Sequence, residues 1–225
     1  MSTSEWAAIA LTLKLAAIST LILLLLCIPL GWWLSRTRSR FKPMIEAGAT
    51  LPLVLPPTVL GFYLLVAFGP HGPIGQLTVW LGWPGLAFTF QGLIIASVLY
   101  SLPFVLQPLI VSFNAVRREE IETAMVLGAN RWQRLSRVIL PSCRSGVLAA
   151  ASMGFAHTVG EFGVVLMIGG NIEGETRVIS IALYNHVEQA DYASAHRLGL
   201  LLVLFAFSTL ALVYRLNARQ RRYDG

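Results

Sequence analysis

Glu119 to Pro141 reads E-E-I-E-T-A-M-V-L-G-A-N-R-W-Q-R-L-S-R-V-I-L-P. It is a long polar, helix-forming stretch in a chain that is 56% hydrophobic and only 12% charged. A soluble domain carries about 25% charged residues, so lipid rather than water is the main solvent of this protein. Glu119, Glu120 and Glu122 lie in the first turns of the segment, where carboxylates complement the positive end of a helix dipole. Ile121, Ala124 and Met125 recur at helical spacing and predict one apolar edge. Gly128 supplies a residue able to take the left-handed conformation that ends a helix. Trp132 and Leu135 then predict a second helix with its own apolar edge. The expectation is a helix–Gly–helix hairpin outside the bilayer. It is either an interfacial amphipathic loop or a knob that docks in a cleft of a soluble partner.

On either side of this hairpin the chain is apolar enough to cross a membrane, which takes about 20 residues. Spans are expected near 6–34, 51–68, 88–114, 138–159 and 195–216, with the hairpin over 117–137, all within one domain covering 1–225. The first span is too long for the apolar core of a cleaved signal peptide, lacks a basic leader and contains Lys14. Arg36, Arg38, Arg40 and Lys42 follow it. Arg117, Arg118, Arg131, Arg134 and Arg137 separate the third span from the fourth, and Arg215, Arg219, Arg221 and Arg222 follow the fifth. Loops rich in Lys and Arg stay cytoplasmic. All three clusters share one side only if the number of spans is odd. The fold class is therefore an all-α integral membrane protein of about five transmembrane helices, N-terminus outside and C-terminus cytoplasmic. The net charge of +6 is a topology signal and leaves no basic patch for nucleic acid.

Several features inside the spans are candidates for a pathway. Pro52, Pro56 and Pro57 in the second span and Pro103 and Pro108 in the third remove backbone donors and are expected to bend or break their helices. A broken helix frees backbone groups to line a passage, although proline is also simply tolerated in membrane helices. Ser142, Gly146, Ala150 and Gly154 form a small-residue stripe for close helix approach, within the chain, against a second copy or along the pathway. Glu161, in G-E-F-G (Gly160 to Gly163), is either functional, as ionisable groups near membrane depth usually are, or bonded to backbone amides at a bend. Lys14 is expected to snorkel towards the outer interface. Residues 162–186 are too short and polar to cross and are read as an external or re-entrant segment.

Catalysis finds no foothold. His71, His157, His186 and His196 show no metal-ligand spacing. Cys27 and Cys143 make neither a metal nor a redox motif. No G-x-x-x-x-G-K-[ST] loop is present, and Lys14 and Lys42, the only lysines, follow Leu13 and Phe41 rather than Gly.

The run Glu122-Thr123-Ala124, then Gly128, then Val138-Ile139-Leu140-Pro141 resembles the E-A-A…G…I-x-L-P loop of the binding-protein-dependent, MetI-like ABC importer permeases. Thr123 stands where a second Ala is usual and Val138 where Ile is usual. The resemblance implies a coupling helix gripped by an ATPase subunit, with Glu119, Glu122, Ala124, Gly128, Ala129, Leu140 and Pro141 as the coupling residues. The candidate pathway residues, taken from the proline breaks, the membrane-depth hydroxyls and the G-E-F-G bend, are Pro56, Pro57, Ser101, Pro103, Gly160 and Glu161. The resemblance also implies a second copy of the chain, two ATP-binding subunits that use ATP and Mg, an extracytoplasmic binding protein, and residence in the cytoplasmic (inner) membrane. No cofactor is expected on this chain, and it is not itself expected to be an enzyme. Leu51 to Val66, Gly72 to Gly75, Gly154 to Gly163 and Gly170 to Arg177 look like the molybdate branch of the family, with tungstate as a co-substrate. The sulfate/thiosulfate permeases share G-E-F-G and are the alternative. An ATP-independent channel or secondary transporter would need intramembrane charge pairs or repeats.

Overall fold

The structure, a computed structural model, describes residues 1–221, and Arg222 lies outside it. Among the described residues the chain is helical, with no strand. Helix α1 (Thr3–Arg36) begins at a Ser2/Glu5 capping box, in which each side chain bonds the other's backbone N–H. Its 34 residues reach about 50 Å at 1.5 Å per residue, more than a bilayer core. Ala8, Thr12, Leu15, Ser19, Leu23 and Cys27, all buried, recur every three or four positions. Leu15, Leu23 and Cys27 pack with α5 (Phe90–Asn114), whereas Ala8 packs with Ile179 and Thr12 Oγ1 accepts from the Ile179 N–H.

Between these two lie α2 (Lys42–Val54), α3 (Pro57–Phe68) and α4 (Pro73–Trp80). The second crossing, expected over 51–68, begins earlier, at Lys42, and is broken at Leu55–Pro56. Pro56 (φ −54°, ψ 135°) cannot continue the α2 ladder, and Pro57 starts α3 at a position where a missing N–H costs nothing. Ala49 of α2 packs with the cytoplasmic-side core, around Leu34, Leu109 and Phe113. Phe68 of α3 packs with an outer-side core around Leu15, Leu93 and Ile168. By contrast, Pro103 and Pro108 do not break α5, which runs unbroken from Phe90 to Asn114. The helix is clamped between α1 and α9, and neighbouring helices offset the lost bonds.

After α5 come α6 (Arg118–Val126), α7 (Arg131–Arg134), a π-helical turn (Leu135–Ile139), the single turn α8 (Leu140–Ser142) and α9 (Arg144–Gly160). The stretch Arg131–Ser142 meets Arg144–Gly160 at 80°. The expected span at 138–159 is thus straight only from Arg144. Among the described residues, four helical stretches are long and apolar enough to cross a membrane, or five if this bent pair counts as one.

The small-residue stripe resolves into packing within the chain. A Cβ on Gly146 would overlap Ser112, and one on Gly154 would overlap Val105, both on α5. Ser142 precedes the bend and bonds back to the Val138 carbonyl.

Helices α10 (Gly163–Gly169) and α11 (Ile179–Glu188) lead to α12 (Tyr192–Arg221). Val164, Val165 and Ile168 of α10 are fully buried, so this short non-crossing helix is wrapped in protein, as backbone at membrane depth must be. The polar turn after it satisfies itself: the Thr176 hydroxyl donates to the Gly169 carbonyl and accepts from the Ile172 N–H.

Candidate functional site

Two regions concentrate polar chemistry, one at each end of the bundle. At the cytoplasmic end, Arg117 caps α6 by backbone only, and its guanidinium meets Glu120 at 3.1 Å. The helix stops because Gly128 takes φ +80°. The N–H of Gly128 bonds to Met125 O and that of Ala129 to Ala124 O, closing the last turn. Asn130 and Gln133 then form a reciprocal capping box that starts α7. Both halves of the hairpin are therefore encoded locally.

Its apolar residues divide unevenly. Ala124, Leu135 and Ile139 are buried, and Ile121 and Leu140 pack against the cytoplasmic-side core. Met125 and Trp132 do not join the expected edges: both are exposed, and so are Val126 (88%) and Leu127 (80%). The periodicity assigned Met125 to the buried edge because it lies four residues from Ile121, but α6 ends there and its last turn projects outwards. Trp132 falls on the outer face of a helix only four residues long. Glu119, Glu122, Gly128 and Pro141 are exposed as well.

Near the outer end, Glu161 is 3% exposed. It caps α9, and its carboxylate does not bond backbone amides. Instead Ser97 Oγ donates to Oε2 at 2.7 Å and Ser101 Oγ to Oε1 at 2.7 Å, both from α5. His157 Nδ1 lies 3.7 Å from Oε1 and 2.8 Å from Ser101 Oγ. Thr158 Oγ1 is 3.0 Å from Ser101 Oγ. The His157 ring stacks on Phe104 at 3.7 Å, and the Ser180 hydroxyl donates to the Glu161 carbonyl. A cavity of about 500 Å³ opens beside the cluster, lined by Pro57, Thr58, Tyr100, His157, Gly160 and Glu161 among others. Of the expected pathway residues, Pro57, Gly160 and Glu161 line this cavity, and Ser101 braces it from behind. Pro103 lines a different cavity of about 490 Å³ with Leu53, Gln107 and Pro108. Pro56 sits at the break itself. The carboxylate is already engaged by hydroxyls, so the cavity wall presents less bare negative charge than the sequence suggests.

A third cluster adds Glu5 to the His186 and Asp191 pair, which lie close in sequence. His186 bridges Glu5 of α1 (3.2 Å) and Asp191 (3.3 Å), joining the outer ends of α1 and α11 to the start of α12. Hydrogen bonds from Ser194 hold the Asp191 carboxyl below the usual carboxylate range. Glu5 and His186 are 181 positions apart, and no local pattern pairs them. His196 is exposed. Lys14 lies over the Phe90 ring at 4.8 Å, exposed at the side of the bundle rather than in either cavity.

Comparison with known proteins places this geometry. The profile of the binding-protein-dependent transport system inner membrane component family matches residues 27–222. The chain belongs to this family. It is 55% identical over 214 residues, 95% of each chain, to the molybdenum transport system permease protein ModB of Azotobacter vinelandii. To the protein of the same name from Haemophilus influenzae it is 35% identical over 224 residues, 98% of this chain and 97% of that one. Among solved structures, a bacterial ABC transporter involved in the import of the acidic polysaccharide alginate superposes with a TM-score of 0.77, at 21% identity, over 99% of this chain and 80% of its own. The chain is thus a multi-pass inner-membrane permease with the fold of ABC importers.

Proposed function

We propose that the chain is the permease subunit of an ATP-driven importer that carries molybdate, and tungstate of the same shape and charge, into the cell. Near full-length identity of 55% to a molybdenum transport permease carries this reading. Two copies would flank the pathway, fed from outside by a molybdate-binding protein. Two ATP-binding subunits would grip the α6–α7 hairpins, with Glu119, Glu122, Ala124, Gly128, Ala129, Leu140 and Pro141 in or beneath the grip. ATP and Mg belong to those partners, since the chain has no phosphate-cradling loop. The exposed tip Met125–Val126–Leu127, held at the Gly128 turn between α6 and the capped start of α7, supports the docking role: exposed apolar side chains grouped on a rigid support mark protein interaction sites.

Closure of the ATPase pair would move the hairpins and rock the two bundles between inward- and outward-open states, a two-state element biased by its partner. The cavity at Pro57, Gly160 and Glu161 would line the passage, with hydroxyls and backbone rather than fixed positive charge. A passage that holds an oxyanion weakly lets it go, and selectivity then rests mainly with the binding protein.

Reconstitution with a cognate ATPase subunit and binding protein tests this. ATP-dependent uptake of radiolabelled molybdate, unaffected by excess sulfate, is the expected result. Uptake of sulfate in preference would overturn the choice of cargo, and uptake without ATPase subunits would overturn the mechanism.

A further inference from the structure

Where α1 leaves the membrane, its last turns and the α6–α7 hairpin enclose a groove of about 520 Å³, lined by Pro29, Trp32, Trp33, Arg36, Arg131, Trp132 and Arg134 among others, with no carboxylate among its lining residues. A second cavity of about 390 Å³ shares the Trp32–Arg36–Arg134 wall and adds Arg38 and Arg118, against one acid, Glu122. Together the two cavities are lined by five arginines and one glutamate. Two ion pairs among the described residues lie at this end, Lys42–Glu46 and Arg117–Glu120, and neither uses any of the five.

Arg36 is set in place before any ligand arrives. One terminal nitrogen donates to the carbonyls of Phe113 and Val116 at 3.1 and 3.2 Å, and the guanidinium lies 4.9 Å from the Trp32 ring. Its Nε–H is buried without a partner among the described residues. Such a donor carries a desolvation cost that an acceptor would remove.

We propose that this groove binds the phosphodiester headgroup of an anionic phospholipid of the cytoplasmic leaflet, with the acyl chains lying along Pro29 and Trp33. The shape of the groove favours lipid over a soluble anion or a protein. Pro29 stands seven residues before Arg36, so about 10 Å deeper in the span, and Pro29 and Trp33 are exposed. Bilayer lipid reaches that depth, whereas a cytosolic subunit does not. Tryptophans at the headgroup level and arginines just beyond them match the two halves of such a molecule, and basic pockets between cytoplasmic helix ends are suited to anionic headgroups.

Because Trp32, Trp33 and Trp132 line the groove, bound lipid reports itself. The full chain in neutral detergent is titrated with brominated phosphatidylglycerol or brominated phosphatidylcholine, and tryptophan quenching is read. Phosphatidylglycerol should quench at several-fold lower concentration. The R131Q and R134Q changes should each weaken it about fivefold, with folding checked by circular dichroism. Trp132→Phe keeps the charge and should lower the quenching amplitude while leaving the midpoint in place. This arm stands even if the arginine variants fail to fold. Equal midpoints for the two lipids, or an unchanged amplitude in Trp132→Phe, would overturn the proposal. Full displacement by millimolar inorganic phosphate would instead assign the groove to a free oxyanion, and stoichiometric displacement by the ATPase subunit would assign it to that subunit. Either result rejects the lipid.

Discussion

The hairpin at the cytoplasmic end and the Glu161 cluster near the outer end are built by opposite means. The hairpin is closed by bonds between residues a few positions apart: Gly128 to Met125, Ala129 to Ala124, Asn130 to Gln133. It leaves its apolar tip outside. The Glu161 cluster is closed by side chains 56 to 64 positions apart, and it turns its polar groups inward. A self-contained element keeps its shape when gripped and passes the pull to the core it is seated on through Leu135 and Ile139, whereas a cross-braced one holds two helices in register. The first arrangement suits a part gripped from outside, and the second suits the wall of a passage.

The contrast is broken most severely at Glu161. Glu161→Ala strips two buried hydrogen bonds and leaves the Ser97 hydroxyl without its partner, while Ser101 keeps only His157 and Thr158, at roughly 3 kcal/mol. The expected outcome is a clear fall in the unfolding midpoint in detergent together with loss of uptake, with Glu161→Gln falling between. A wild-type midpoint in the Ala variant would mean that the cluster braces nothing. Gly154→Val, which drives a side chain into Val105 of α5, should cost about 1–3 kcal/mol by overpacking. The same melt reads it, and an unperturbed variant would show that α9 and α5 separate easily.

Gly128→Val is opposed by backbone strain alone, because the space beside Gly128 is open. The left-handed conformation costs a non-glycine residue about 1–2 kcal/mol. The effect should appear in ATPase-coupled uptake more than in the melt of the chain, and Gly128→Asn should recover most of it. Normal coupling in the Val variant would rule out a role for that turn. The smallest stability change is expected at the tip. Val126→Ser with Leu127→Ser should move stability by no more than about 0.5 kcal/mol per site, yet weaken co-purification of the ATPase subunit. Undiminished capture would place the grip elsewhere.

What could be read from the sequence follows the same division. The spans were legible because hydropathy is a local property, and Gly128 because a glycine between two helical patterns has few other uses. The all-α membrane class, the family and the inner-membrane location all followed from such local signals. The partners of Glu161 were not legible, since nothing near position 161 points to Ser97 and Ser101 on another helix. Nor was the exposure of Met125 and Trp132, because periodicity assumes helices long enough to have a settled inner face, and α6 and α7 have 9 and 4 residues. The prolines show why local rules stop short. Pro56–Pro57 breaks the chain where two prolines stand in tandem, while Pro103 and Pro108 leave α5 intact between two neighbours.

The 80° angle between the Arg131–Ser142 and Arg144–Gly160 stretches makes a bell crank with its elbow at Cys143. Cys143 is buried, and its thiol is tethered to the Ser112 carbonyl at 3.3 Å, which pins that elbow to α5. With a fixed pivot and arms nearly at right angles, a push on the short arm along the membrane normal emerges as a sideways swing of the long one. Glu161 rides at that arm's far end.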